Sequence, residues 1–263
     1  MPAKAVVLAA GMGARLCPLT PFIPKEMLPV AGLPAIHHVL SEALSAGVEQ
    51  AMIVLSPEKT LLRDYLTGKI TPKGETATRL AAERERVLSA LKIEFALQKK
   101  PLGTADAVYL AKDFAAKDPL LVMYPDDVLF VKGKFESDSA SRMVALSEKT
   151  SASVILSTRV PGRVASQYGV LQLKNQGGLK FVTAICEKPQ GYEKREANVM
   201  IGRMVLTPDA VASIPAYPYS DSQGIVPALG HAAKEGGLLA LKHVGKRYDV
   251  GSHEGYLSLL KEV

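Results

Sequence analysis

The stretch from Leu8 to Leu28, LAAGMGARLCPLTPFIPKEML, narrows the folds open to this chain more than any other. Residues Ala5 to Ala9 are small and apolar enough for a buried parallel strand, and Gly11 and Gly13 stand directly behind them. Glycine permits a tight turn that brings backbone N–H groups against phosphate oxygens. Arg15 and Lys25 then add positive charge, so the segment reads as a strand and turn that meet a nucleoside triphosphate.

Spacing decides between the known phosphate-binding turns. A dinucleotide-binding GxGxxG needs glycine where Leu16 stands, and a P-loop needs Gly-Lys followed by Ser or Thr. The Gly-Lys pairs here, Gly68-Lys69, Gly133-Lys134 and Gly245-Lys246, are followed by Ile70, Phe135 and Arg247, so neither pattern fits. What remains, GMGARL and then PKEMLPVAGLPAIHHVL, closely resembles the amino-terminal signature of sugar-1-phosphate nucleotidyltransferases, above all the bacterial UTP:glucose-1-phosphate uridylyltransferases. A plain glycine turn would explain Gly11 and Gly13 but not the arginine and the PKEML run.

Strand-like runs alternate with helix-like ones, which points to an α/β architecture. AVVLAA at Ala5, AMIVLS at Ala51, IEFALQ at Ile93, LLVMYPD at Leu120 and SVILSTRV at Ser153 are the clearest strands. AIHHVLSEALSAG, Ala35 to Gly47, has helical spacing and a terminal glycine cap, and His37 and His38 on it read as packing or surface. Lys59 to Leu91 reads as a mostly helical insertion with the polar loop TPKGETAT, and the charges of Arg79 to Lys92 as the solvated face of a helix. YGVLQLKNQGGLKFVTAICEKPQ reads as two strands about a turn at Asn175 to Gly178, and SHEGYLSLLKEV as a terminal amphipathic helix.

At 263 residues, 48% hydrophobic and 22% charged, one large domain is expected, residues 1–263, with 1–160 mainly for the nucleotide and 161–263 mainly for the sugar phosphate. No run approaches the roughly 18 apolar residues of a membrane span, and MPAKAVVLAAG is too short for a signal peptide, so the expectation is a cytoplasmic protein with no membrane partner. Cys17 and Cys186 are too few for a disulfide framework and read as structural thiols. The net charge of +6 is interleaved with acids, and without Trp there is no stacking platform, so an anionic small substrate explains it better than nucleic acid.

Joining a sugar phosphate to a nucleotide requires two anions to meet, which calls for carboxylates holding a divalent metal and for nearby lysines. Asp126 and Asp127 follow the strand LLVMYP, and ligands bind at the carboxyl ends of such strands, although an Asx turn would also use them. By resemblance Asp126 matches the metal-binding aspartate of the family's LPD motif, and Asp127 a variable neighbour. Asp249 in KRYDVGSHEGY matches the family's late Asp-x-Gly-(Thr/Ser)-x-x-Gly-Tyr motif, which completes a Mg²⁺ site. Lys188 in CEKPQ precedes proline, which favours an extended backbone; the resemblance implies that it grips the sugar phosphate and that Glu187 accepts from sugar hydroxyls. Gly169 in QYGV and Gly202 in NVMIGRMVL match glycines lining that pocket. Gln98 and Gly103 in QKKPLGTADAV would read the base, with Ala9 and Ala10 as the other wall, although Gln98 would also suit the surface of an edge strand; the resemblance implies UTP or dTTP.

The match also departs from the family. Ala14 replaces the usual Thr, Pro21 stands where uridylyltransferases often carry Lys, and a sugar-binding Glu is replaced at Ser222 or Gln223. The resemblance implies an α/β fold of glycosyltransferase-A type, with a Rossmann-like mixed, mainly parallel sheet flanked by helices. It further implies an enzyme that forms UDP-glucose and pyrophosphate and assembles as a homodimer or homotetramer. In it Arg15 and Lys25 would stabilise the leaving pyrophosphate, Asp126 and Asp249 hold Mg²⁺, and Lys188 orient the attacking phosphate. The same chemistry with dTTP or another sugar 1-phosphate is the neighbouring possibility. A non-catalytic nucleotide-sugar-binding protein is the possibility of another class, which the full set of Asp126, Lys188 and Asp249 disfavours.

Overall fold

The computed structural model describes residues 4–70, 77–135, 137–216 and 224–262. Strand β1 (Lys4–Ala9) is followed by two short 3-10 turns, Ala14–Leu16 and Lys25–Met27, a small hairpin of β2 (Pro29–Val30) and β3 (Leu33–Pro34), helix α1 (Ala35–Ser45) and β4 (Gln50–Leu55). Helices α2 (Thr60–Leu66) and α3 (Ala77–Ala90) lead to β5 (Lys92–Leu97), then α4 (Gly103–Tyr109) and α5 (Lys112–Ala115) to β6 (Leu120–Met123) and β7 (Asp127–Phe130). After α6 (Ser139–Thr150) come β8 (Ser153–Pro161), β9 (Gly169–Gln176), β10 (Leu179–Glu187) and β11 (Glu196–Leu206). The chain closes with α7 (Pro208–Ser213), α8 (Val226–Lys234), β12 (Leu238–Lys242), β13 (Lys246–Asp249) and α9 (His253–Leu260).

Nine strands form one sheet in the order β5-β4-β1-β6-β11-β8-β12-β10-β9. The mixed α/β sheet expected from the sequence is present, but it is not mainly parallel: among the described residues four of its pairings are parallel and five antiparallel. Its parallel pairs are β5–β4, β4–β1, β1–β6 and β8–β12, whereas β11 runs against both β6 and β8, and β10 against β9 and β12. Parallel pairing is thus concentrated in the amino-terminal half, where helices provide the crossovers that parallel neighbours need.

The unbroken apolarity of β1 has a direct cause: both faces of the sheet are covered. Ala5, Val7 and Ala9 pack into one core and Val6 and Leu8 into the other. Helix α1 closes the first core with Ile36, Val39, Leu40 and Ala43, the i, i+3, i+4, i+7 set, each large member contributing roughly 1.5–3 kcal/mol on burial. It stops at Gly47, whose φ of +80° suits glycine, while Val48 N–H reaches back to Ala43 O at 3.1 Å.

Three local expectations need correction. Strand β6 ends at Met123, before the YPD segment, because Tyr124 N–H turns to Gly202 O at 2.9 Å. Helix α3 is not wholly solvated on its charged side: Arg84 is buried and donates to Tyr65 O at 2.7 Å. Both cysteines are exposed free thiols and pack in neither core. His37 is buried and His38 half-buried against Phe135, consistent with packing. The turn between β9 and β10 falls at Gly177 and Gly178, both with positive φ. Residues 71–76 of the insertion and Ser222 and Gln223 lie outside the described residues.

Candidate active site

The glycine turn emerges from the carboxyl end of β1. Gly13 has φ +72°, and a Cβ there would lie 2.8 Å from Thr20 Cγ2, so both conformation and space require glycine. Its carbonyl accepts from Leu16 N–H and from Thr20 Oγ1, each at 2.9 Å. Gly11 lies over Lys25: its Cβ position is 3.8 Å from Lys25 Nζ. The PKEM segment is anchored from below, where buried Glu26 accepts from Lys59 Nζ at 2.6 Å.

The carboxylates come together through backbone pairing. Strand β13 runs antiparallel to β7 with Asp249 opposite Asp127, and Val250 N–H donates to Asp126 O at 2.8 Å. A Cβ on Gly251 would stand 2.5 Å from Asp126 Oδ2 and 3.0 Å from Asp249 Oδ1, so the two side chains share the space that this glycine leaves free. Lys25 Nζ donates to Asp126 Oδ2 at 2.5 Å. Arg15 grips Asp249 with two bonds, of 2.7 and 3.3 Å. Burial by itself pushes the Asp126 carboxyl up, but the charge and hydrogen bond of Lys25 outweigh it and hold Asp126 below the usual carboxylate range. Lys25 shows the reciprocal effect: burial disfavours its charge, and Asp126 restores it and raises its pKa.

Arg15, Asp126 and Asp249 open on a cavity of about 580 Å³. Arg15, Asp126, Gly169, Glu187, Lys188, Gly202 and Asp249 all line it, so half of the residues singled out from distant motifs meet around one space. Glu187 Oε1 lies 3.6 Å from Lys188 Nζ, and burial pushes the Glu187 carboxyl up against that opposing charge. Gly169 must lack a side chain, since a Cβ would meet Met200 Sδ at 2.8 Å and Glu187 Oε2 at 3.1 Å. Lys188 is not extended as expected before a proline. Its φ is +44°, because β10 ends at Glu187 and Lys188 N–H bends back to Tyr168 O at 3.0 Å.

Lys25, Ala9, Ala10, Gly11, Gly13, Gln98 and Gly103 do not line this cavity; Arg15 and Thr104, close in the chain to several of them, do. The Ala9 and Ala10 side chains sit in the two cores. Gln98 is buried rather than an exposed edge residue, and its Nε2 donates to Asp106 Oδ2 at 2.8 Å and to Gly103 O at 3.0 Å.

Two aspartates, Asp126 in the turn after central strand β6 and Asp249 at the end of β13, side by side and facing a cavity, suit a hard divalent cation that keeps phosphate oxygens and water as its other ligands. A family model described as nucleotidyl transferase matches residues 4–263. The chain belongs to the nucleotidyl transferase family. This nucleotidyl transferase is 30% identical over 261 residues to UTP–glucose-1-phosphate uridylyltransferase 2 of Streptococcus pyogenes serotype M1, covering 97% of this chain and 87% of that protein. It resembles the crystal structure of a UDP-glucose pyrophosphorylase complexed with UDP-glucose, with a TM-score of 0.88 and 28% identity over 99% of this chain and 98% of the other. A UTP-bound UGPase from Acinetobacter baumannii matches with a TM-score of 0.84 and 28% identity, covering 99% and 93%.

Several residues at this site were given no role by the motif reading. Asp127 is buried, and its Oδ2 accepts from Gly202 N–H at 2.5 Å where the β11 register shifts between Met200 and Met204. Arg247 pairs with Asp127 and lines the cavity. A local signal for it existed: residues two apart in a strand share a face, so Arg247 and Asp249 of β13 point the same way. Beneath them Arg203, fully buried, binds Glu42 at 2.8 Å and the carbonyls of Tyr124, Gly202 and Asp127 at 2.8–3.0 Å. Tyr124, its hydroxyl pushed up to about 12 by burial, completes the floor.

Proposed function

We propose that this chain transfers a uridylyl group from UTP to glucose 1-phosphate, giving UDP-glucose and pyrophosphate. The observation that carries the reading is the meeting of Asp126 and Asp249 around Gly251 at the cavity, each held by a cation, Lys25 or Arg15. The names of relatives matched over nearly the whole chain supply the substrates.

An oxygen of the sugar phosphate attacks the α-phosphorus of UTP in line; the new P–O bond forms as the bond to the β-phosphate oxygen breaks, and pyrophosphate departs with the electron pair. Positioning and charge neutralisation suffice, without a side-chain nucleophile. Gly11 and Gly13 present the turn to the triphosphate, and Arg15 and Lys25 stabilise the leaving pyrophosphate. Lys188 orients the attacking phosphate, with Glu187, Gly169 and Gly202 against the sugar. Gln98 and Gly103 read the uracil edge, and the backbone of Ala9 and Ala10 forms the opposite wall. Asp126 and Asp249 would hold Mg²⁺, which when bound neutralises phosphate charge. In this reading residues 1–160 mainly serve the nucleotide and 161–263 the sugar phosphate within one domain. The enzyme works in the cytoplasm as a homodimer or homotetramer; among the described residues no helix is long and apolar enough to cross a membrane.

The test is pyrophosphate release across UTP, dTTP, GTP, ATP and CTP against glucose, galactose, glucosamine and mannose 1-phosphates. Release confined to UTP with glucose 1-phosphate is expected; another pair would reassign the substrate, and none anywhere would refute the reading. Asp126→Asn and Asp249→Asn should each lose metal-dependent turnover with the fold kept, and full activity in both would refute the metal assignment.

A further inference from the structure

Asp127 follows Asp126 in the chain but faces a different set of partners. Its buried carboxylate joins two strands beyond its own: Oδ2 accepts from Gly202 N–H on β11, and Oδ1 accepts from Arg247 of β13 through Nε, at 2.5 Å, and through Nη2. Arg247 does not end there. Its Nη1 donates to the Tyr168 hydroxyl at 3.1 Å, and its guanidinium lies 5.2 Å from the centre of the Tyr168 ring. The Tyr168 carbonyl in turn accepts the N–H of Lys188 at 3.0 Å. Lys188 holds a φ of +44°, a conformation that a residue with a side chain keeps only where its surroundings impose it.

We propose that Arg247 and Tyr168 are positioning residues for the sugar phosphate: the Asp127–Arg247–Tyr168 chain sets Lys188 at a defined place relative to the Asp126–Asp249 pair. The inference rests on the reading of Lys188 as the group that orients the sugar phosphate. The chain is rooted in the two paired backbones that carry the carboxylates, since Asp127 adjoins Asp126 and Arg247 shares β13 with Asp249. It ends on the turn and hairpin that carry Gly169, Glu187 and Lys188. In-line attack is sensitive to misplacement on the ångström scale, so a rigid link between the two halves of the cleft bears directly on the reaction. Arginine is required because its planar fork spans the carboxylate and the tyrosine together, which a single ammonium cannot do. Were Arg247 only the counter-charge of Asp127, the Tyr168 hydroxyl would be dispensable.

The experiment is forward kinetics of Tyr168→Phe, Arg247→Lys and the double variant, with Lys188→Ala alongside and UTP affinity measured by calorimetry without sugar phosphate. Loss of the Tyr168 hydroxyl bond should raise KM for the sugar phosphate about five- to tenfold. KM for UTP and the calorimetric UTP affinity should stay within about twofold of the parent. Arg247→Lys should raise the sugar-phosphate KM at least as far, and the double variant no further, because both changes cut the same chain. An unchanged sugar-phosphate KM in Tyr168→Phe beside a raised one in Lys188→Ala overturns the proposal alone, as do additive effects in the double variant. An unchanged KM in Lys188→Ala overturns the assignment of Lys188, and the proposal with it.

Discussion

Gly251→Ala puts one methyl group where the two carboxylates meet. The added carbon would stand 2.5 Å from Asp126 Oδ2, 3.0 Å from Asp249 Oδ1 and 3.2 Å from Arg15 Nη2. The first of these falls almost an ångström short of the 3.4 Å at which ordinary contact begins. Gly251 does not use the positive-φ conformations that favour glycine, so alanine is compatible with its backbone and the strain falls on the side chains. The carboxylates must therefore part by about an ångström, a displacement of the kind that costs on the order of a hundredfold in rate, or about 2.7 kcal/mol of barrier. Pyrophosphate release at saturating UTP and glucose 1-phosphate reads this directly, and Mg²⁺ titration should show a raised metal requirement. Thermal unfolding should shift by less than the equivalent of about 1 kcal/mol, since the change meets the ends of charged side chains rather than the apolar core. Turnover within about threefold of the parent would refute the reasoning, because it would mean that the space beside Gly251 is not where the reaction is organised.

Other expectations concern stability. Gly230 lies in α8 with nothing within 4 Å of its Cβ position and no positive φ, so Gly230→Ala should stabilise the fold by about 0.5–1 kcal/mol in urea denaturation. Arg203→Met strands the buried Glu42 carboxylate and should cost about 3–5 kcal/mol, with much of it recovered in Arg203→Met/Glu42→Leu; equal loss in both would show that the carbonyl contacts of Arg203 matter more than its charge. Burial in α1 pushes His37 down to about 4, with His38 adding to the shift and Glu83 opposing it. The unfolded chain then binds a proton between about pH 6.5 and 4 that the folded chain refuses, so stability falls as pH drops through that window, by about 2 kcal/mol at pH 5. His37→Gln should flatten that part of the curve, and an unchanged slope would place the titration elsewhere.

Much of the site was legible in the chain because its signals are local. A buried apolar strand, the glycine turn behind it, an aspartate after β6, the EKP and DVGS segments and the Gly177–Gly178 turn each depend on a few neighbouring residues whose backbone preferences and polarity act within a turn or two. These determined the α/β class and the residues that gather around the cavity. The pairings that hold those residues in place were decided only by the tertiary structure. Asp127 with Arg247, Glu42 with Arg203 and Glu26 with Lys59 each join groups far apart in the chain, and no local pattern names which buried carboxylate takes which cation. Burial removes the solvent that would otherwise satisfy these charges, so the fold must supply each partner, and the long-range register of β7 against β13 and the shift in β11 determine which one is in reach. For the same reason Lys188 leaves the extended backbone that its proline neighbour favours: the hydrogen bond from its N–H to Tyr168 is a contact between two strands' ends, which the sequence around Pro189 does not contain.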